Sequence, residues 1–145
     1  MIIRPATSAD GDAMARIVGD WRPELDGMPV LHTAEEDRWF FGEVIKTQDV
    51  LVGASGIGVE GFIARDDQLI TQLYLQKSAR RKGLGSQLLN KMKARADALA
   101  LWCFQANLPA RNFYEKHGFV AAEKTDGHGN EEHLPDIYYT WKATT

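Results

Sequence analysis

The chain contains a single cysteine, Cys103, among its 145 residues, so no disulfide bond can form within it. Structural disulfides are typical of secreted proteins, whereas a lone cysteine fits a reducing compartment, and we expect a cytoplasmic location. No histidine or aspartate stands in a patterned position beside Cys103, which lies among apolar residues. We therefore interpret it as a buried structural thiol and not as a nucleophile.

Long apolar runs and an excess of basic charge are also missing. No segment approaches the ~20 consecutive apolar residues that a membrane-spanning helix needs, and residues 1–5 lack the form of a secretory signal. The formal net charge of -3 argues against nucleic acid as the main partner. No linker, repeat or low-complexity segment divides the chain, and we expect one domain over residues 1–145.

The spacing of apolar residues predicts about seven strands and four helices. Strand patterns occur at 2–5, 50–54, 59–64, 69–76, 101–106, 119–125 and 137–142. Helical spacing predicts one helix behind Thr7 and Asp10, a second behind the capping box 33–36, a third from Leu84 onward and a fourth over 109–117. This order of strands and helices predicts an α/β protein.

A basic turn with two glycines joins the strand 69–76 to the third helix, whose apolar positions run from Leu84 to Leu99. The first turn of a helix has free N–H groups and a partial positive charge, so it attracts phosphate. Gly83 and Gly85 lack β carbons and let phosphate oxygens approach the backbone. We predict a pyrophosphate site in this turn, called the phosphate turn below: Arg80, Arg81, Lys82, Gly83, Leu84, Gly85 and Ser86. Taken alone, the turn is also typical of a glycine-capped helix with solvated basic side chains.

A second segment, residues 107–119, predicts a helix that follows a short buried strand. Asn107 ends that strand, and Gly118 is a natural stop for the helix. In this order the two segments resemble the acyl-CoA-binding core of the GNAT acetyltransferase superfamily. The phosphate turn matches the Arg-x-x-Gly-x-Gly/Ala pattern of that family at Arg80, Gly83 and Gly85.

The resemblance implies a sheet that splits after its fourth strand and admits acetyl-CoA as the co-substrate, with no metal ion. In this family an asparagine at the end of the fifth strand binds the pantetheine arm or the adjoining backbone, and a tyrosine seven residues later lies near the thioester sulfur. Asn107 and Tyr114 occupy those places. Outside that family, the same residues would be a turn residue and a core aromatic. The resemblance places the remaining predicted cofactor contacts at Leu73, Tyr74, Leu75 and Asn112.

The implied reaction is direct acyl transfer from acetyl-CoA to a primary amine of a small molecule or a protein. Tyr114 suits a proton donor to the departing thiolate, because a phenol with a pKa of about 10 is protonated at neutral pH. The amine must lose a proton before it attacks, since a lysine-like amine has a pKa of about 10.4. No motif assigns the base. Asp66, Glu60 and Asp136 are candidates, and a water relay is an equal alternative.

Two loops, 26–32 and 126–136, are expected to border the acceptor. The second loop has no Lys or Arg and four acidic residues, which are Asp126, Glu131, Glu132 and Asp136. This composition favours a cationic amine, although an ordinary polar hairpin loop has the same composition. His128 and His133 in this loop match no standard metal-ligand spacing. Three tryptophans are interpreted as core residues in preference to pocket residues: Trp21, Trp39 and Trp141.

These features predict an acetyl-CoA-dependent N-acetyltransferase. A non-catalytic acyl-CoA-binding module is the main alternative, and a phosphate-ligand binder unrelated to CoA is another. Tyr114 favours the enzyme, since a pure binder has no need of a proton donor at that place. The expected partners are acetyl-CoA and an amine acceptor. A homodimer is compatible with this interpretation, whereas nucleic acid and membrane are not expected.

Overall fold

A seven-stranded mixed sheet forms the centre of the computed structural model, which describes residues 1–144. The strands are β1 (Ile2–Pro5), β2 (Asp49–Ser55), β3 (Gly58–Asp66), β4 (Leu69–Leu75), β5 (Ala98–Phe104), β6 (Val120–Thr125) and β7 (Asp136–Lys142). The α-helices are α1 (Gly11–Trp21), α2 (Ala34–Thr47), α3 (Leu84–Lys93) and α4 (Leu108–Lys116). This is the predicted order of elements and the predicted α/β class. The predicted domain ends at Thr145, which lies outside the described residues.

The strands lie in the order β1-β2-β3-β4-β5-β7-β6, and every neighbouring pair is antiparallel except β4–β5. In that parallel pair Leu69 faces Ala100 and Ile70 faces Leu101, and no further pairs occur within residues 1–144. β4 nevertheless continues to Leu75, so the two strands diverge. The gap between β4 and β5 beyond Ile70, called the cleft below, is the split that the resemblance implied.

Helices cover both faces of the sheet, and each face has its own core. On one face α1 and α2 bury Met14 and Phe41 against Phe62 of β3. On the other face, Leu88 and Met92 of α3 and Tyr114 of α4 pack against the inward side chains of β5 and β7. Burying a side chain of this size contributes roughly 1.5–3 kcal/mol. The second core therefore holds α3 and α4, which carry several of the predicted site residues.

The helix starts predicted from capping residues are confirmed. Thr33 Oγ1 accepts a hydrogen bond from the Glu36 N–H at 3.1 Å, and the Glu36 carboxylate accepts one from the Thr33 N–H at 2.9 Å. Ahead of α1, Asp10 accepts a hydrogen bond from the Thr7 N–H at 2.7 Å. The same carboxylate accepts two hydrogen bonds from Arg4, at 2.8 and 3.1 Å, and so joins the helix start to β1.

The simple alternation expected along 69–76 is wrong, because β4 contains a bulge at Thr71. The register with β3 shifts by one residue there. As a result Ile70 enters the same core as Leu73, although strict alternation placed them on opposite faces. A bulge bends and twists its strand locally. It lies at the point where β4 begins to separate from β5.

The third helix is shorter than predicted, and the next strand begins earlier. α3 ends at Lys93, so Leu99 lies outside the helix to which the apolar spacing assigned it. β5 runs from Ala98 to Phe104 and not over 101–106. Leu99 points into the core from the strand. Its position also falls on the helical period, so spacing alone did not separate the two elements.

Candidate active site

The phosphate turn has the backbone form of an anion site. Arg81 has a φ of 63° and Gly83 a φ of 87°, both in the left-handed region. Gly83 is the N-cap of α3 and has no side chain that could cap the helix. The N–H groups of Leu84, Gly85 and Ser86 make no hydrogen bond within residues 1–144. Three unpaired donors at the positive end of a helix dipole suit a phosphate group.

Two glycines of the sheet let the phosphate turn approach it closely. Leu84, the first residue of α3, packs over Gly53 of β2 and Gly61 of β3. A β carbon on Gly61 would lie 3.1 Å from Leu84 Cδ2 and 2.4 Å from Leu75 Cδ2. A larger residue at Gly53 or Gly61 would therefore displace Leu84, and at Gly61 it would also displace Leu75.

The Arg80 side chain is occupied by contacts within the protein. Its two terminal nitrogens donate to the carboxylate of Glu24, and the guanidinium also contacts the Leu75 carbonyl at 3.3 and 3.4 Å. Arg80 holds the pKa of Glu24 below its usual range. Arg80 therefore ties the end of β4 to the segment after α1. The exposed cations of the phosphate turn are Arg81 and Lys82.

Gly85 is buried where α3 meets α4. A β carbon there would lie 3.4 Å from the Phe113 ring and 3.6 Å from Leu75 Cδ1. A methyl group fits, whereas a larger side chain would displace one of these neighbours. The glycine therefore serves helix packing in addition to its predicted phosphate contact. Asn112, also a predicted cofactor contact, is exposed on α4.

The residues predicted to hold the pantetheine arm border the open end of the cleft. Leu73, Tyr74 and Leu75 form the last part of β4, which has no β5 partner within residues 1–144. Asn107 follows β5 and caps α4, because its Oδ1 accepts a hydrogen bond from the Ala110 N–H at 3.3 Å. The side-chain NH₂ of Asn107 makes no hydrogen bond in the described part of the chain and can donate to a ligand.

Tyr114 of α4 is buried against the rings of Phe119 and Tyr139, at centroid distances of 5.7 and 6.3 Å. Its hydroxyl has no hydrogen-bond partner within residues 1–144. Burial raises the pKa of this phenol above its usual value, and the nearby groups of Cys103 and Tyr74 raise it further. The hydroxyl therefore stays protonated at neutral pH, as a proton donor requires.

The neighbours of Tyr114 belong to the two strands that bound the cleft. Cys103 lies on β5 and Tyr74 on β4. Burial raises the pKa of the Cys103 thiol to about 12, so it stays a thiol, in line with its interpretation as a structural residue. Burial also raises the pKa of Tyr74 to about 12, and the charge of Glu132 adds to that rise.

A cavity of about 400 Å³ lies between β5 and the loop 126–136. This cavity is called the loop cavity below. It is lined by Trp102, Cys103, Phe104, Thr125, Gly129, Asn130, Glu132 and Asp136. Two carboxylates and two aromatic rings line it, and these eight residues include no Lys or Arg. The charge of Glu132, one of these carboxylates, also raises the pKa of Tyr74 on β4.

The two predicted acceptor loops, 26–32 and 126–136, contact each other through a hydrogen bond between side chains. The Glu131 carboxylate pairs with the ring of His32. Glu131 does not line the loop cavity, whereas Glu132 does. The two adjacent glutamates therefore have different surroundings.

The three candidate bases do not share a position at the cleft. Asp66 ends β3 at the β3–β4 hairpin, which is the end of β4 opposite the cleft. Glu60 accepts a hydrogen bond at 3.4 Å from the side-chain amide of Gln76, the residue after β4. Asp136 is buried, and its carboxylate accepts hydrogen bonds from Thr125 and Asn130. Glu60, Asp136 and a water relay therefore all stay open as the base.

The tryptophans take different positions. Trp21 packs on Tyr74 at a centroid distance of 5.0 Å, and Trp141 packs in the core below Lys93. Trp39 is 68% exposed and is not the core residue expected.

No group of three or more His, Cys, Asp or Glu side chains within residues 1–144 is arranged to hold a metal ion. In the same range, every helix is too short or too polar to cross a bilayer.

Sequence reasoning missed three parts of this site. Glu24 stands 56 residues from Arg80, and no local pattern could indicate their pairing. Trp102 was assigned to a strand with no role, yet it forms one wall of the loop cavity. His117 contacts Ser86 at 2.9 Å, and its only signal was its place in the same segment as the predicted site residues.

Comparison with known proteins shows the family to which this chain is similar. Residues 6–119 match the acetyltransferase (GNAT) family. A protein of Mycobacterium tuberculosis described as a "Probable N-acetyltransferase" is 33% identical over 96 residues, which are 62% of this chain and 48% of that protein. The chain thus spans about half the length of the curated relative it matches.

Solved structures share the whole fold at low identity. YjaB of Escherichia coli, solved in its apo form, has a TM-score of 0.79 at 17% identity, over 99% of this chain and 100% of that chain. YncA of Salmonella typhimurium, solved with its cofactor acetyl-CoA, has a TM-score of 0.76 at 16% identity, over 100% of this chain and 95% of that chain. These likenesses confirm the predicted fold.

Proposed function

Because the chain belongs to the GNAT acetyltransferase family, we propose that it is an acetyl-CoA-dependent N-acetyltransferase that transfers an acetyl group directly to a primary amine. One observation carries this proposal. The phosphate turn, with its three unpaired N–H groups, lies beside the split in the sheet. At the same split, the Tyr114 hydroxyl has no hydrogen-bond partner within residues 1–144. The acetyl-CoA bound by YncA, a protein of similar fold, supports the same cofactor here.

The residues of the cleft fit an acyl-CoA. The N–H groups of Leu84, Gly85 and Ser86 would hold the pyrophosphate, with Arg81 and Lys82 adding charge. The unpaired edge of β4 offers backbone groups to the amide bonds of the pantetheine arm, as an added strand would use them. The side-chain NH₂ of Asn107 would donate to the same arm at the other side of the cleft.

The chemistry would then use few groups of the protein. Bound acetyl-CoA supplies the acetyl thioester. Backbone N–H groups near the end of β4 would polarise the carbonyl oxygen, as in an oxyanion hole. The Tyr114 hydroxyl would donate its proton to the departing sulfur, and its raised pKa keeps it in the donor form across the neutral range. We propose that water carries the amine proton away, since the three candidate carboxylates are remote or engaged.

We further propose that the acceptor is a cationic amine held in the loop cavity. Glu132 and Asp136 provide negative charge there, and no Lys or Arg opposes them in the lining. Trp102 adds an aromatic face that attracts a cation. A charge-assisted contact to a carboxylate is worth roughly 1.5–3 kcal/mol, enough to select charged over neutral amines.

Thiol release from acetyl-CoA, measured with a panel of cationic and neutral primary amines, tests this function. We expect release that depends on the amine and is faster with the cationic members. An acyl-CoA-binding module would bind acetyl-CoA and release no thiol with any of them. A phosphate-ligand binder would bind nucleotides equally well without a pantetheine arm. The single domain over 1–145 and the cytoplasmic location stay predictions.

A further inference from the structure

The ring of His117 joins the two segments of the cofactor site. Its Nε2 lies 2.9 Å from Ser86 Oγ in the first turn of α3, and its Nδ1 lies 2.8 Å from the Phe113 carbonyl in α4. The ring also stacks on Phe113, with centroids 4.4 Å apart and planes tilted by 34°. Three contacts therefore fix the imidazole next to one of the unpaired N–H groups of the phosphate turn.

These contacts determine which nitrogen of His117 titrates. A carbonyl oxygen only accepts hydrogen bonds, so Nδ1 carries a proton in both charge states of the ring. Nε2 is the nitrogen that gains or loses a proton. In the neutral ring Nε2 accepts the only O–H of Ser86. In the charged ring Nε2 donates to Ser86 Oγ, and the Ser86 hydroxyl is released to donate elsewhere.

The two states of His117 offer different surfaces to a phosphate. With the neutral ring, Ser86 presents oxygen lone pairs, which repel an anion. With the charged ring, Ser86 can donate to a phosphate oxygen, and a positive charge stands directly behind it. We propose that His117 is a protonation-sensitive positioning residue for the CoA pyrophosphate, acting through Ser86, so that uptake of a proton by His117 tightens CoA binding. This inference rests on the proposed function, because it requires a pyrophosphate at the phosphate turn.

Cations outnumber anions around His117 and Ser86. From α3, Lys93 donates a hydrogen bond to the His117 carbonyl and adds a positive charge near the ring. Trp141 of β7 packs below Lys93 and is uncharged. The charged residues next to His117 and Ser86 in sequence are all exposed: Glu115 and Lys116 on α4, and Arg81 and Lys82 on the phosphate turn. A bound pyrophosphate would offset this excess of cations.

Calorimetry with 3′-dephospho-CoA tests the inference, because its pyrophosphate does not titrate over the range in which histidine changes charge, about pH 5 to 8. We expect wild-type affinity to rise on the order of tenfold as pH falls through this range. His117→Gln keeps a hydrogen-bonding group and should give a nearly flat profile. His128→Gln removes an exposed histidine far from the phosphate turn in sequence and should retain the wild-type profile.

Linkage predicts a second result on the wild-type protein. If the charged ring binds the ligand tenfold better, the NMR titration midpoint of His117 moves up by about one pH unit on ligand addition. His117→Gln assigns the signal, and if that variant fails to fold, the midpoint decides alone. Parallel affinity profiles, or an unmoved midpoint in a protein that binds the ligand, would overturn only this inference. Absence of binding at every pH would overturn the cofactor site itself, and the inference with it.

Discussion

Leu84 packs against Gly53 so closely that a β carbon on the glycine would lie 2.5 Å from Leu84 Cδ1. Leu84 begins α3, and its side chain is buried. A glycine in the middle of β2 thus sets how deeply the phosphate turn sits on the sheet. Because a buried leucine has little room to rotate away, a methyl group at this position must move the helix or strain its neighbours.

Replacing Gly53 by alanine should lower both stability and affinity for CoA. Overpacking a buried contact typically costs ~1–3 kcal/mol, and the N–H groups of α3 would shift with Leu84. Gly56→Ala is the matched control, since no atom lies within 4 Å of its β-carbon position and its φ is not left-handed. Thermal unfolding and calorimetry check both variants. Equal behaviour of the two proteins would show that Leu84 does not set the position of the turn.

Tyr114→Phe should leave CoA affinity nearly unchanged and lower turnover. A general acid typically contributes ~10²–10⁴-fold, with the lower end expected here because a thiolate is already a fair leaving group. Tyr139→Phe is the control, since the Tyr139 hydroxyl donates to Glu115 at 2.6 Å and is engaged outside the cleft. Single-turnover kinetics with acetyl-CoA measure the chemical step. An unchanged rate in Tyr114→Phe would remove this residue from the mechanism.

Glu132→Gln should raise the KM for a cationic amine about tenfold, the loss expected for about 1.4 kcal/mol of charge-assisted binding. The KM for acetyl-CoA should stay the same. Glu131→Gln is its neighbour in sequence but pairs with His32 outside the loop cavity, and should have a much smaller effect. Steady-state kinetics on both variants separate the two. If Glu131→Gln were the more damaging, the acceptor would lie between the two loops and not in the loop cavity.

Asp10→Asn should destabilise the protein at neutral pH by roughly 1 kcal/mol, because a neutral amide loses the charge-assisted hydrogen bonds from the partly exposed Arg4. The hydrogen bonds from Arg4 lower the pKa of Asp10 in the folded protein. A lowered pKa contributes stability above the unfolded-state value of about 3.9, and this stability is lost as pH falls through the folded value. The gap between wild type and variant should therefore close in acid. Denaturant unfolding against pH measures it, with exposed Asp12→Asn as the control. A gap that persisted in acid would deny Asp10 this role.

Local patterns predicted most of the fold and the cofactor side of the site. The capping box at Thr33 and the turn before Leu84 each depend on residues close in sequence, so their chemistry is visible there. The bulge at Thr71 was not predictable, because it depends on how β3 and β4 pair across the sheet. The end of α3 was misplaced because Leu99 suits both periods.

Contacts between distant segments account for the remaining errors. The pairing of Arg80 with Glu24 was not predictable, because the two residues are remote in sequence. The acidic loop 126–136 was recognised as a charged segment, but composition does not tell which carboxylate faces a cavity and which faces another loop. Glu131 and Glu132 differ only in direction, and direction follows from the folded backbone.

A crystal structure of the protein with CoA tests the central claim most directly. We predict pyrophosphate oxygens about 3 Å from the N–H groups of Leu84, Gly85 and Ser86. The pantetheine arm should lie between β4 and β5, with its sulfur beside the Tyr114 hydroxyl. A pyrophosphate bound away from the phosphate turn, or a pantetheine arm outside the cleft, would contradict the account.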